Sequence, residues 1–205
     1  MMGFEMSNER ASPAALSRRS VLAGLGLGGA FALGGCSSGA APATYDLAAP
    51  RDGITSGRGK GLIVIAEPQA LQALDSNRVV VMTRGGGIAY LPDVQLSDRL
   101  PKLFQVRLIQ TFENASRIQA VGRPGDRLLP VAQINSEIRA FGIDEASGEA
   151  LAEISVKIVN DRSGRILAGH VFTSRVPAGG SAVAALDLAN QALMRDIVKW
   201  VSARI

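Results

Sequence analysis

Ala132-Gln133-Ile134-Asn135-Ser136-Glu137-Ile138-Arg139-Ala140 sets Gln133, Asn135, Glu137 and Arg139 in alternation with Ala132, Ile134, Ile138 and Ala140. Further on, Ala152-Glu153-Ile154-Ser155-Val156-Lys157-Ile158-Val159 repeats the pattern, with Ala152, Ile154, Val156 and Ile158 against Glu153, Ser155 and Lys157. Successive side chains of a strand point to opposite faces. A period of two with one polar face therefore predicts an antiparallel sheet packed on one side and open to water on the other. Asp144-Glu145-Ala146-Ser147-Gly148 and Asn160-Asp161-Arg162-Ser163-Gly164 supply the turn residues between strands. A third strand, Arg165–Val176, alternates less cleanly and stops at Pro177-Ala178-Gly179-Gly180.

Helices flank this meander. After it, Ser181 to Ala203 carries Val183, Leu186, Leu193, Ile197, Trp200 and Val201 as one apolar stripe, with Asn190 set within it. Before it, Leu100, Phe104, Leu108, Phe112 and Ala115 recur at helical spacing, with Ser97 expected as the N-cap and Pro101 in the first turn. Val106 and Ile109 fall outside that stripe and predict a second apolar contact, read as extra core. Earlier still, Gly61–Ala66 and Arg78–Thr83 read as buried strands, and Gly87–Leu91 as a short third one after the turn Gly85-Gly86-Gly87. Strands, a helix, a meander and a final helix predict an α+β fold. The expected architecture is a two-layer sandwich, a mostly antiparallel sheet with two main helices packed on one face.

The N-terminal region has a different character. Leu33-Gly34-Gly35-Cys36 closes an apolar run that begins after Arg18-Arg19 and holds no charge from Ser20 to Gly35. A membrane span needs roughly 20 apolar residues, and this run is shorter and rich in glycine. A positive n-region, an apolar h-region and small residues before a processing point predict a secretory signal peptide, cleaved between Gly35 and Cys36. Cys36 is the only cysteine of the 205 residues, and its setting resembles the bacterial lipobox. An exported chain with one cysteine can form no internal disulfide, and lipidation gives that thiol a role. Three acyl chains on Cys36, at about 0.8 kcal/mol per buried methylene, would hold the protein at a membrane permanently. A single-pass anchor with Cys36 as an ordinary buried thiol is the alternative. Ser17-Arg18-Arg19-Ser20-Val21-Leu22 resembles a twin-arginine export signal, although Val21 stands where an aromatic is usual, so general secretion stays open beside it. Ser37 rather than aspartate after the cysteine favours the outer membrane over the inner.

Small residues from Ser37 to Thr44 and the glycine-bearing Arg51–Lys60 have linker composition. The expected organisation is a signal peptide at 1–35, a lipidated N-terminus and linker at 36–60, and one domain at 61–205, long enough for a single core.

Charge excludes little. The chain carries 22 Lys and Arg against 18 Asp and Glu, net +4, with the basic residues spread out. A mild positive balance suits work near anionic lipid heads. Between 104 and 141 only Phe104, Phe112 and Phe141 are aromatic, which offers no stacking platform for nucleic acid. Chemistry-bearing residues are few. His170 is the one histidine and lies in a strand pattern, with no strained G-x-S-x-G turn to serve it, so it reads as a packed or solvated strand residue. A zinc site needs several His or Cys ligands, and calcium loops of the D-x-D-x-D-G kind are absent from the sequence. Gly85-Gly86-Gly87 lacks the lysine of a phosphate-binding loop. Glu137, Glu149 and Glu153 could in principle pair as acid and base, but solvated strand charges are the plainer reading. No catalytic residue, metal or cofactor is expected, and the chain reads as a binding or scaffold protein.

Several segments, in order, carry a resemblance. They are Thr44-Tyr45-Asp46-Leu47, Leu62–Pro68, Leu74-Asp75-Ser76-Asn77-Arg78-Val79-Val80, Ile88-Ala89-Tyr90-Leu91, Asp98-Arg99-Leu100-Pro101-Lys102-Leu103-Phe104-Gln105, Leu108-Ile109-Gln110-Thr111-Phe112-Glu113-Asn114 and Val183-Ala184-Ala185-Leu186-Asp187. Together with the lipobox, over roughly 45–201, this resembles the ABC-type transport auxiliary lipoprotein family, which includes the PqiC-like lipoproteins. Val94-Gln95-Leu96 departs from it where many relatives carry an aromatic. The resemblance implies a non-catalytic accessory of a lipid transport system between the two membranes. Its implied partners are a periplasmic MCE-domain protein and ABC transporter subunits, with the membrane held through the lipid anchor. A phospholipid and a second copy of the chain are further partners that it leaves open. Sheet edges and polar strand faces are the expected docking surfaces. An envelope assembly or structural lipoprotein is the competing reading, and a periplasmic hydrolase built around His170 a third.

Overall fold

In a computed structural model, which describes residues 41–52, 54, 61–115 and 120–205, the alternating stretch 132–140 lies in β7 (Ala132–Asp144), the strand on which the sheet is built. Arg18, Arg19, Gly35 and Cys36 lie outside the described residues, as does most of Arg51–Lys60. The other strands are β1 (Ala43–Tyr45), β2 (Leu62–Ile65), β3 (Gln69–Ala70), β4 (Arg78–Met82), β5 (Ile88–Leu96), β6 (Ala120–Gly122), β8 (Glu149–Asn160) and β9 (Ile166–Pro177). The helices are α1 (Leu100–Ala115) and α2 (Ala182–Ser202).

Along one side β7 runs antiparallel to β8, which in turn pairs with β9, so the expected meander forms. Along its other side β7 receives three short parallel partners in succession: β2 at Ala132–Ile134, β3 at Glu137 and Ile138, and β4 at Gly142–Asp144. β6 extends the sheet beyond β2, while β5 and then β1 extend it beyond β4. The long pairings are antiparallel and most of the short ones parallel, giving a mixed open sheet with both helices in the layer against it, an α+β sandwich. Gly142 lets β4 lie this close, because a Cβ there would stand 2.4 Å from the Val80 carbonyl oxygen.

The cross-strand pairs Ile134–Ile158, Ser136–Val156 and Ile138–Ile154 share the face beneath the helices. Ile134, Val156 and Ile158 are wholly buried there, against Leu100, Phe104, Leu108 and Phe112 of α1 and Leu186, Leu193, Ile197 and Val201 of α2. Ile109 joins the same core, as expected, while Val106 is half-buried. Ser181 caps α2, its side chain accepting from the Ala184 amide at 3.3 Å.

Three expectations change in detail. Ser97 does not cap α1: the helix begins at Leu100, and the Ser97 hydroxyl donates instead to Asp46 at 3.1 Å. Ala140 leaves the core face, because a bulge after Ile138 leaves Arg139 without a register partner and sets Ala140 opposite Glu153, handing the core position to Phe141. β5 runs on through Pro92 to Leu96, since an irregularity opposite β4 between Arg78 and Val80 accommodates the proline and β1 then pairs with Val94–Leu96. Residues 41–205 form one compact unit. Residues 46–52 form a strap across the helices, with Leu47 and Pro50 buried, and Ile54 is buried as well. The Ala48 amide donates to Asp187, Asn114 donates to the Pro50 carbonyl, and Arg195 donates to the Asp52 carbonyl.

Candidate functional site

β9 closes one end of the sheet, and among the described residues its only strand partner is β8. An irregularity between Ile158 and Val159 leaves Leu167 as an extra residue of β9. Ile166, Leu167 and Val171 are exposed at 61%, 55% and 38%, and Phe172 is the one fully buried side chain of the strand. On the helix side of β9, the His170 ring stacks on Trp200 at 5.9 Å and meets the edge of Phe172 at 4.7 Å. The Arg204 guanidinium lies 4.5 Å over the Trp200 ring. An aromatic cluster capped by a cation thus flanks a free strand edge.

Of the concave regions, two offer candidate sites, and the first reaches β9. On the open face, a groove of about 530 Å³ is lined by Glu67, Gln69, Gln133, Asn135, Glu137 and Lys157, with Val159 and Ile166 as its apolar wall. Between the strap and the helices, a broader, polar depression of about 850 Å³ is lined chiefly by Arg51, Asp52, Arg107, Gln110, Asn114 and Arg195. At its rim Asp46 accepts from Arg107, from the Ser97 hydroxyl and from the Leu47 amide. The Arg107 hydrogen bond is the main reason the Asp46 carboxyl is held below its ordinary range, with burial opposing it.

The sequence-singled residues separate in space. Glu137 stands opposite Ser155, Glu153 accepts from the Thr173 hydroxyl at 3.3 Å, and Glu149 shares Arg175 with Asp144 at 3.3 Å each. The three glutamates form no acid–base pair. Hydrogen bonds from the Ser147 side chain and the Ala146 amide, with Arg175 next, hold Asp144 below the ordinary carboxylate range, and Asp144 and then Glu149 raise the Arg175 guanidinium in turn. His170 packs in the aromatic cluster and lines neither concave region. Among the described residues, no three His, Cys, Asp or Glu side chains gather closely enough for a metal ion, and no helix is long and apolar enough to cross a membrane. The exposed apolar residues of β9 had one signal in the sequence, the break in alternation along Arg165–Val176, where apolar side chains fall on both faces. The strap had none, since isolated Leu47, Pro50 and Ile54 among small residues look like linker.

The sequence profile of the family described as ABC-type transport auxiliary lipoprotein component matches residues 45–198, which runs from β1 and the strap into the last turns of α2. An uncharacterized protein of Bradyrhizobium diazoefficiens is 31% identical over 174 residues, covering 80% of this chain and 47% of its own length. The chain therefore spans about half the length of that curated relative. Among solved structures, a protein from Xanthomonas campestris superposes with a TM-score of 0.61 at 20% identity, covering 78% of this chain and 90% of that one. A second crystal structure, of an uncharacterized protein, gives 0.60 at 10% identity over 80% and 97% of the two chains. At these identities the two structures share the fold.

Proposed function

We infer the function from one premise: the chain belongs to the ABC-type transport auxiliary lipoprotein component family. It is an envelope lipoprotein and an auxiliary part of an ABC-type transport system. The finer reading is that Cys36, freed by cleavage after Gly35, carries the acyl chains at the periplasmic face of the outer membrane. The domain there receives an MCE-domain periplasmic protein and so completes a lipid path from the transporter, without catalysis of its own. The observation that carries this reading is the extent of the family match, which takes in the strap, the sheet and both helices rather than one motif.

The anchored geometry is tight. Only the six residues Ser37–Pro42 separate Cys36 from β1, and they reach at most about 25 Å when extended. A docking accessory held so close to its membrane suits a partner that comes to it.

The test is a pull-down from membranes with the full chain and Cys36 intact, with partners identified by mass spectrometry. The expected result is an MCE-domain protein together with ABC transporter subunits. Recovery of envelope-assembly or cell-wall proteins alone would overturn the transport reading in favour of a structural tether.

A further inference from the structure

Natural sheets guard their edges, because a row of unpaired amides and carbonyls will recruit another strand. Two terminal strands of this sheet are guarded by brevity: β1 and β6 are three residues each. β9 has 12 residues and, among the described residues, pairs on one side only. Its devices sit at its ends, with the extra residue Leu167 near the start and Arg175 and Pro177 at the finish. Between them Ala168-Gly169-His170-Val171-Phe172-Thr173-Ser174 holds neither a lysine nor a proline nor a carboxylate.

Two observations say what covers this edge. The first is charge. In the turn that leads into β9, Arg162 and Arg165 accompany one acid, Asp161, and neither arginine has an ion pair among the described residues, whereas Lys157 shares the open-face groove with Glu67 and Glu137. At the other end Arg175 is already held by Asp144 and Glu149. The second is where the chain outside the structure is attached. The lipid-bearing segment enters through β1, and β9 lies at the far end of the strand sequence β1-β5-β4-β7-β8-β9, roughly 24 Å away at the usual strand spacing. With the tether only six residues long, the membrane claims the β1 end and leaves β9 to a partner in the aqueous space.

We propose that β9 is a docking strip for an extended segment of the periplasmic transport partner. The segment adds to the sheet as a further strand, with apolar side chains against Val171 and the Ile166–Leu167 corner and an acidic residue beside Arg162 and Arg165. Main-chain hydrogen bonds supply the affinity and the alternating side chains the selectivity. The Trp200–His170–Arg204 cluster gives the strip an aromatic and arginine anchor of the kind that dominates interface energetics. This rests on the transport reading above.

The experiment places a photo-crosslinking phenylalanine analogue, one position at a time, at Gly169, Val171 and Thr173 of the full lipidated chain, with Tyr45 on β1 as the control. Crosslinks are made in cells that carry the transport system and mapped by mass spectrometry. The expected result is crosslinking from the three β9 positions to successive residues of one acidic-apolar segment of the transport partner, and none to that segment from Tyr45. A Val171→Lys variant should weaken co-purification of the partner about tenfold, because it sets an ammonium against the apolar strip. Thr173→Lys should do the same, and circular dichroism melts of both should match the unsubstituted chain. Arg165→Glu should slow association and remove its salt dependence. Crosslinking to a second copy of this chain would overturn the proposal and make the edge a self-association surface. An intact complex with silent β9 positions would overturn it while leaving the transport reading in place. Loss of the complex from unsubstituted chain would remove both.

Discussion

Asp46 ties the strap to α1 and to the loop before it through one carboxylate, which accepts from Arg107, Ser97 and its neighbour's amide. These bonds favour the charged form, so the folded pKa lies below the ordinary 3.8. A carboxylate of lowered pKa adds stability that is fully present above its unfolded value and is lost as pH falls through the folded one. Asp46→Asn should therefore cost a constant amount near neutrality, and the gap should close on acidification below 3.8. The Asp46 side chain is 53% exposed, so the cost should not exceed about 1 kcal/mol. Denaturant titrations of both proteins from pH 7 to pH 3 read this directly; a gap that widens with acid would remove the assignment. Asn190 is the opposite case. It is fully buried in α2, its amide nitrogen reaches only the Met194 sulfur at 3.7 Å, and its Oδ1 has no partner among the described residues. A buried acceptor left unmade costs about 1–3 kcal/mol. Asn190→Ala, which removes the unmade acceptor and adds no volume, should raise stability by up to about 1 kcal/mol, which a thermal melt would show as a gain of a few degrees. A fall in melting temperature would mean that the amide is held by something other than Met194.

Elements differ in how far they can be read from sequence, and the reason is the range of their contacts. β7, β8 and α2 declare themselves because the decisive pattern lies inside each: alternation for the strands, a stripe and a serine cap for the helix. The ends of β5 and the bulge at Arg139 depend on what lies alongside, so Pro92 reads as a stop and Ala140 as core until the neighbouring strand is seen. Gly142 is the sharpest instance. Nothing local marks this residue of β7, yet the approach of β4 leaves no room for a side chain, with a Cβ placed 2.4 Å from a backbone oxygen. Gly142→Ala should force β4 and β7 apart and cost about 1–3 kcal/mol. The loosening should be local, appearing as faster hydrogen exchange at Val80–Met82 while β8 and β9 stay protected. Uniform loss of protection across the sheet would instead mean that the β4 pairing is part of the cooperative core.

At the scale of the whole molecule, a stretch with the composition of a linker completes the core. Glycine, alanine and proline around Leu47 and Ile54 hide two core residues in what looks like tether. The partners of the neighbouring backbone at Ala48, Pro50 and Asp52, which are Asp187, Asn114 and Arg195, lie far along the chain and supply no local signal. The consequence is mechanical as well as energetic. A pull on the chain ahead of residue 43 is taken first by β1 on β5 and by the strap on the helices. A chain beginning at residue 41 should then fold as a cooperative unit, while one beginning at 61 should expose the helix surface under Leu47, Pro50 and Ile54. Losing two buried aliphatic side chains costs about 3–5 kcal/mol once the relief of ordering the strap is set against it. That is a large share of the roughly 5–15 kcal/mol that holds a domain together, and for a domain of this size it should lower the melting temperature by about 10 °C or more. Differential scanning calorimetry on the two truncations decides it. Equal melting temperatures would mean that residues 43–54 add nothing to the core and act as linker, as their composition suggests.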